Sequence, residues 1–212
     1  MRLALDEMSA ARAALRTNDI ASMFKMLARV SRIFEQLNSA WDVLRTMTPA
    51  DYTTFRKALG PSSGFQSYQN RMIEYVLGNR NPNMLKPHEH RPEIHAMLSA
   101  ELERPSFYAE VVRYLFLTLD GPDENLAEPQ LRSPHTPVPE IQAKWKTVYE
   151  DIEAHWTLYE LGEKLADIED YFRRWRFNLS LLHIGSGRRT GRCQSMWGSR
   201  EYKKTSTTRE GN

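Results

Sequence analysis

The residue best suited to chemistry in this sequence is Arg71, which lies on one side of a predicted helix among aromatic and apolar residues. Four such residues accompany it: Phe65, Tyr68, Ile73 and Val76. A guanidinium is always charged and presents a rigid fork of donors, so this setting suits a carboxylate in a partly dry cleft. The pattern indicates a site for an amino acid with an apolar side chain. The alternative is structural: Arg71 pairs with Glu74, three residues on, or extends to solvent.

Three histidines close together, His88, His90 and His95, form a second candidate site. Imidazoles at these spacings could reach one metal ion. Two of them lie in a proline-bounded loop and no cysteine accompanies them, so the pattern favours surface histidines over a metal centre. On predicted helical segments, His155 and His183 are the histidines that could face a core or a cofactor.

The acidic residues between positions 150 and 170 suggest a carboxylate metal site, but their spacing argues against one. A di-iron carboxylate bundle needs a Glu-x-x-His pair on each of two helices, and this sequence has no such repeated pair. Glu160 with Lys164, and Glu169 with Arg173, stand four residues apart, which is typical of a solvated, salt-bridged face. The sequence therefore predicts no metal site.

The elements that must position these residues are predicted to be helices, because apolar residues recur at helical spacing and no strand-type alternation competes. They are predicted over residues 1–16, 20–47, 49–59, 64–77, 91–103, 106–119 and 140–182, the last with one break near 151–153. The first two should form an antiparallel hairpin. We therefore predict an all-α bundle of long antiparallel helices.

Composition and charge divide the chain into a helical domain and a tail. Residues 1–184 are predicted to form one domain, and five prolines between 120 and 139 mark a loop within it. Residues 185–212 carry seven Lys or Arg against two acids and no apolar period, which is typical of a disordered tail. The tail contributes +5 to the net charge of +2, which leaves −3 for the domain. A nucleic-acid partner is therefore not expected.

The remaining composition predicts a cytoplasmic, soluble protein. The single cysteine, Cys193, cannot form an intramolecular disulfide, which fits a reducing compartment. No apolar run approaches the roughly 20 residues of a membrane span, and the first residues do not resemble a signal peptide. We therefore expect no membrane partner.

Several blocks of the sequence resemble the tryptophan 2,3-dioxygenase family. The block GPSSGFQSYQNRMIEYVLGN, residues 60–79, resembles the family signature. The block HWTLYELGEKLADIEDYFRRWRFN, residues 155–178, is similar to the stretch that leads into the family's haem-ligand region. Four shorter blocks agree: MLARVSRI at 26–33, WDVL at 41–44, MTP at 47–49 and MLKPHEHRP at 84–92. The resemblance covers roughly residues 1–178.

This resemblance implies an all-helical enzyme that contains haem b and is usually a homotetramer. Such an enzyme takes L-tryptophan and O2, inserts both oxygen atoms across the indole C2–C3 bond, and yields N-formylkynurenine in tryptophan catabolism. The residue matching Arg71 grips the substrate carboxylate in that family. Tyr68, one turn earlier, is expected to line the same pocket.

The resemblance also implies a proximal haem histidine directly after Asn178, where this sequence has Leu179. His183 is a substitute ligand by position, but one helical turn displaces a side chain by ~6 Å. Family members also begin with a helix that covers the distal side of the haem. We therefore expect a dioxygenase homologue that is truncated at its N-terminus and divergent or frame-disrupted after Asn178. The alternative is a helical interaction and oligomerisation module without catalysis.

Overall fold

The computed structural model describes residues 1–47, 51, 54–55, 58, 67–121 and 138–184, except for the side chains of residue 45 and residues 180–184. Every regular element in these ranges is a helix, which confirms the all-α prediction. The α-helices are α1 (Arg2–Arg16), α2 (Ile20–Arg45), α3 (Tyr68–Leu77), α4 (Pro92–Leu102), α5 (Phe107–Asp120), α6 (Pro139–Glu150) and α7 (Trp156–Ile184). A 3-10 helix, Pro82–His88, connects α3 to α4.

The helices α1 and α2 form the predicted hairpin. Asn18 adopts a left-handed conformation with φ of 57°, which reverses the chain in three residues. Asp19 then caps α2 by accepting a hydrogen bond from the backbone N–H of Ser22 at 3.1 Å. Met8 and Leu15 of α1 are buried in the main core. The hairpin therefore provides one wall of the bundle.

The helix α7 packs along α2 and completes the main core. The Phe34 ring meets the edge of the Phe172 ring with centroids 5.5 Å apart, and Phe172 stacks on Trp175 at 6.1 Å. Asn38 of α2 donates a hydrogen bond from Nδ2 to the backbone oxygen of Tyr171 at 3.0 Å. Offset and edge-to-face aromatic pairs add stabilisation beyond their buried area. This packing fixes the position of α7 in its second half.

The helix α3 lies against α1 and is held by α4 and α5. Ser67 caps α3, since its Oγ accepts from the backbone N–H of Asn70 at 3.4 Å. Gly78 ends α3 with φ of 121°, and a Cβ there would lie 3.3 Å from the Cβ of Tyr108, so glycine is required. Arg80 then donates to the backbone oxygen of Leu102 at 2.7 Å, which ties the turn after α3 to the end of α4.

The long C-terminal element is two helices, as the predicted break suggested. Asp151 ends α6, and its Oδ1 accepts from the backbone N–H of Ala154 at 3.1 Å. The helices α6 and α7 approach closely at Gly162, where an added Cβ would lie 3.1 Å from Tyr149 Oη and 3.2 Å from the Trp145 ring. A glycine at this position therefore allows the two helices to pack.

Some predictions differ from the structure or fall outside it. The 3-10 helix was not predicted; Pro82 begins it, and Asn81 caps it by accepting from the backbone N–H of Asn83 at 3.0 Å. Most of the predicted helix 49–59, most of the loop 120–139 and all of the tail 185–212 lie outside the described residues. Among the described residues, none of the helices is long and apolar enough to cross a membrane.

We expect Phe172→Ala to lower the free energy of unfolding by about 3–5 kcal/mol, because it removes a buried ring and leaves a cavity. Phe172 is 1% exposed, whereas Phe177 on the same helix is 61% exposed. Phe177→Ala is therefore the matched control and should cost under about 1 kcal/mol. Urea unfolding followed by circular dichroism measures both, and equal losses would contradict the assigned core.

Candidate functional site

The candidate arginine is buried against a carboxylate of its own helix. Arg71 and Glu74 are each 1% exposed. Arg71 donates from Nη1 to Oε2 of Glu74, one turn further along α3. The alternative interpretation from the sequence, that Arg71 pairs with Glu74, therefore agrees with the structure. A charge-assisted hydrogen bond sheltered from water is strong, since little solvent screens it.

A second arginine reaches the same carboxylate from α7. The Nε atom of Arg176 lies 3.7 Å from Oε1 of Glu74, and the Arg176 side chain is 22% exposed. The Arg176 guanidinium also lies over the ring of Phe172, 5.8 Å from its centroid. One carboxylate thus stands between two guanidinium groups, and these three groups together carry a net charge of +1.

Two polar atoms of this cluster lack hydrogen-bond partners among the described residues. These atoms are Nε of Arg71 and Oε1 of Glu74. A buried donor without an acceptor is costly, which makes it a natural contact point for another group. The donor is cationic and the cluster is net positive. The arrangement therefore suits an anionic acceptor such as a carboxylate.

Burial dominates the electrostatics of the cluster. It raises the pKa of Glu74, while Arg71 and Arg176 act in the opposite direction. Burial also lowers the pKa of Arg176, although Glu74 opposes that change. The neighbouring Tyr75 is fully buried, and desolvation raises its pKa to about 12, so the phenol stays neutral. Its hydroxyl donates to the backbone oxygen of Asn81 at 3.1 Å.

The structure divides the residues that the sequence grouped with Arg71. Tyr68 is half-buried one turn before Arg71 and packs against a small apolar cluster that includes Met72 and Tyr75. Ile73 and Val76 belong instead to the main core. Each residue advances a helix by about 100°, so Ile73 and Val76, two and five positions beyond Arg71, point to the other side of α3. The prediction that they share a face with Arg71 was therefore wrong. Phe65 lies outside the described residues.

The histidines are dispersed, and one of them is buried. His88 is 2% exposed at the end of the 3-10 helix, so its assignment to the surface was wrong. Its Nε2 has no hydrogen-bond partner among the described residues. His90 is exposed and His95 is half-buried. Within the described ranges, no three His, Cys, Asp or Glu side chains come together as metal ligands.

The remaining candidate positions lie on or beside α7. His155 is half-buried in the turn before this helix. Leu179 is partly buried and packs against the main core. His183 belongs to α7 by its backbone, but its side chain is outside the described residues. Arg176 was missed from the sequence, although one signal was available: it follows Trp175 and stands four residues after Phe172, within an apolar stripe.

A separate cavity of about 370 Å³ is lined by residues of α1, α2, α3, α5, α6 and α7. Trp145, Leu165, Phe172 and Phe107 contribute to its apolar lining, with Glu169 and Arg173 among its polar residues. Arg71 is not among its lining residues. The cavity does not include the charged groups of the cluster, but the two adjoin at Phe172, which lines the cavity and lies beneath Arg176.

We expect Glu74→Gln to lower the free energy of unfolding by about 3–5 kcal/mol, because it leaves the buried Arg71 and the partly buried Arg176 without their shared counter-charge. Glu35→Gln is the control, since Glu35 pairs with Arg32 in an exposed i,i+3 bridge. Its denaturation midpoint should stay close to that of the wild type. A urea titration that gave equal midpoints for both variants would show that the buried pairing does not stabilise the fold.

We also expect His88 to make stability depend on pH. Burial, then Arg71 and nearby cationic groups, lower the pKa of His88 below its ordinary value of 6.5. The unfolded chain then binds a proton more readily than the folded chain, so stability falls as pH decreases below about 6.5. His88→Gln should flatten this part of the profile, whereas His90→Gln should retain it. Thermal midpoints between pH 5 and 8 measure the difference.

Comparison with known proteins identifies the family. The family model described as tryptophan 2,3-dioxygenase matches residues 1–117. A tryptophan 2,3-dioxygenase of Ruegeria sp. (strain TM1040) is 74% identical over 178 residues, and one of Ruegeria pomeroyi is 62% identical over 179 residues. A third, from Bradyrhizobium sp. (strain BTAi1), is 56% identical over 183 residues. Each alignment covers 84% of this chain and 64% of the relative, so the chain spans less than two thirds of the length of these relatives. The chain belongs to the tryptophan 2,3-dioxygenase family.

Proposed function

We propose that this chain binds L-tryptophan, with Arg71 receiving the substrate carboxylate. The observation that carries the proposal is the charge of the buried cluster: two arginines share one glutamate, and Nε of Arg71 is a donor without a partner among the described residues. A carboxylate would neutralise the excess charge and satisfy that donor. We infer that the ligand is tryptophan because the relatives are named tryptophan 2,3-dioxygenases.

The rest of the site suits the apolar part of such a ligand. Tyr68 lies one turn before Arg71 and is half-buried, so its ring is available to contact an indole. The packed surroundings of Arg71 exclude water, which strengthens its interaction with a carboxylate. We propose that Tyr68 lines the pocket and that Arg71 orients the amino-acid end of the substrate.

The reaction that we propose for the whole protein is the insertion of both atoms of O2 across the indole C2–C3 bond to give N-formylkynurenine. Haem b supplies the oxygen chemistry in such an enzyme. The residue at the expected proximal position does not fit that role, because Leu179 has a hydrocarbon side chain that packs against the main core. Our proposal for this chain is therefore substrate binding, and ligation of the haem iron at position 179 is not part of it.

A catalytically inactive interaction module is the alternative reading of the same helices. It predicts self-association without tryptophan binding. We propose that the chain is cytoplasmic and forms a homo-oligomer, a tetramer by family resemblance. Tryptophan titration of the 212-residue chain distinguishes the two interpretations, since only the proposed function requires tryptophan binding. Sedimentation velocity measures self-association in the same protein.

We expect Arg71→Lys to weaken L-tryptophan binding by about 10-fold or more, because lysine keeps the charge but lacks the planar donor fork. Tryptamine lacks the carboxylate, so its affinity should not change between the wild type and the variant. Arg174→Lys is the control, since Arg174 lies on α7 in an exposed pair with Asp170. Isothermal titration calorimetry measures all three proteins, and equal tryptophan affinities would reject the role of Arg71.

We expect His183→Ala to leave the visible spectrum of the chain with added haem unchanged. A residue one helical turn past the expected proximal position is ~6 Å from the place where a ligand is needed. Loss of a Soret band in the variant, with the band present in the wild type, would instead assign His183 as the ligand.

A further inference from the structure

The glutamate of the buried cluster divides its two oxygens between two helices. Oε2 of Glu74 accepts a hydrogen bond from Nη1 of Arg71. Oε1 has no hydrogen bond among the described residues and faces Nε of Arg176 at 3.7 Å. Arginine and a carboxylate often pair through two parallel hydrogen bonds. Here the second oxygen is directed towards another cation.

This division leaves part of the Arg71 donor fork unused. Its Nε is buried and has no partner in the part of the chain that the structure describes. If Glu74 faced Arg71 alone, the favourable arrangement would use two guanidinium nitrogens and both carboxylate oxygens. A second carboxylate would then have to displace the first. The position of Oε1 of Glu74 therefore determines how many guanidinium nitrogens of Arg71 remain available to a second carboxylate.

The charge of Arg176 is held in place by its surroundings. Its guanidinium lies over the Phe172 ring at 5.8 Å. Phe172 is itself 1% exposed and stacks on Trp175. A cation over an aromatic face is attracted by the negative ring surface, more strongly when solvent is limited. Arg176 is therefore a fixed positive charge beside Glu74, not a surface side chain that moves freely in water.

We propose that Arg176 is a positioning residue for carboxylate binding at Arg71. By attracting Oε1 of Glu74, it keeps that carboxylate from closing on two nitrogens of Arg71. It also makes the cluster net positive, so that an incoming carboxylate completes the charge balance. The proposal rests on the proposed function for the identity of the ligand, tryptophan, but its physical content concerns any carboxylate that reaches Arg71.

The first test measures L-tryptophan affinity by calorimetry in the full chain. Arg176→Gln removes the charge and should weaken binding by about 10-fold, whereas Arg176→Lys keeps the charge and should restore most of the affinity. Arg174→Gln, on the same helix but in an exposed pair with Asp170, should bind as the wild type does. Thermal midpoints of all variants show whether each is folded. Wild-type affinity in folded Arg176→Gln would overturn the proposal.

The second test does not depend on tryptophan. The Nε–H signal of Arg71 is recorded by 15N NMR during titration with acetate, and Arg71→Lys identifies the signal by its loss. Acetate should shift this signal in the wild type and in Arg176→Lys, and about 10-fold higher acetate should be needed in Arg176→Gln. No acetate response in the wild type, or the same response in Arg176→Gln, would overturn the proposal.

The two tests distinguish tryptophan binding from the positioning role of Arg176. If acetate behaves as expected and the wild type does not bind tryptophan, the proposed substrate is wrong and the role of Arg176 stands. If tryptophan binds through Arg71 and Arg176→Gln changes neither titration, the proposed function stands and the role of Arg176 is wrong.

Discussion

The pairing of the buried Arg71 and Glu74 with the partly buried Arg176 is the constraint on which the arrangement of this site depends. Removing such charges from water costs several kcal/mol per ion, so each must find its partner in the folded state. Arg71 and Glu74 meet within α3, but Arg176 comes from α7. The two helices must therefore hold a fixed relative position. The bundle achieves this through shared neighbours, since α1 contacts α2 and α3, and α2 packs along α7.

Hydrophobic packing and charge placement are linked along α7. Phe172 supplies a buried ring to the core and also the aromatic face over which Arg176 lies. The same helix therefore contributes to the main source of folding free energy and to the electrostatics of the site. On α3, the core residues Ile73 and Val76 face away from Arg71, so the helix separates its apolar anchor from its charged side. Phe172 therefore links the two roles, because one side chain belongs to the core and also contacts Arg176.

The structure contains a cluster suited to a carboxylate, but it has no haem ligand at position 179. A buried cationic cluster with an unused donor suits the carboxylate of an amino acid, and membership of the tryptophan 2,3-dioxygenase family agrees with that chemistry. Leu179 offers no lone pair for iron and contributes to packing instead. The proposed carboxylate site and position 179 therefore lie on different helices, α3 and α7.

The sequence by itself determined that the fold is helical and identified Arg71 as the candidate carboxylate-binding residue. Apolar residues at helical spacing predicted most of the described helices, and the break before α7, because local periodicity is a property of neighbouring residues. Spacing also named Glu74 as a partner. Only the tertiary structure decided that Arg176 joins the pair, that Ile73 and Val76 face the core, and that His88 is buried in a 3-10 helix. These outcomes depend on how helices that are distant in sequence pack together, and burial and charge pairing between them are set by that packing.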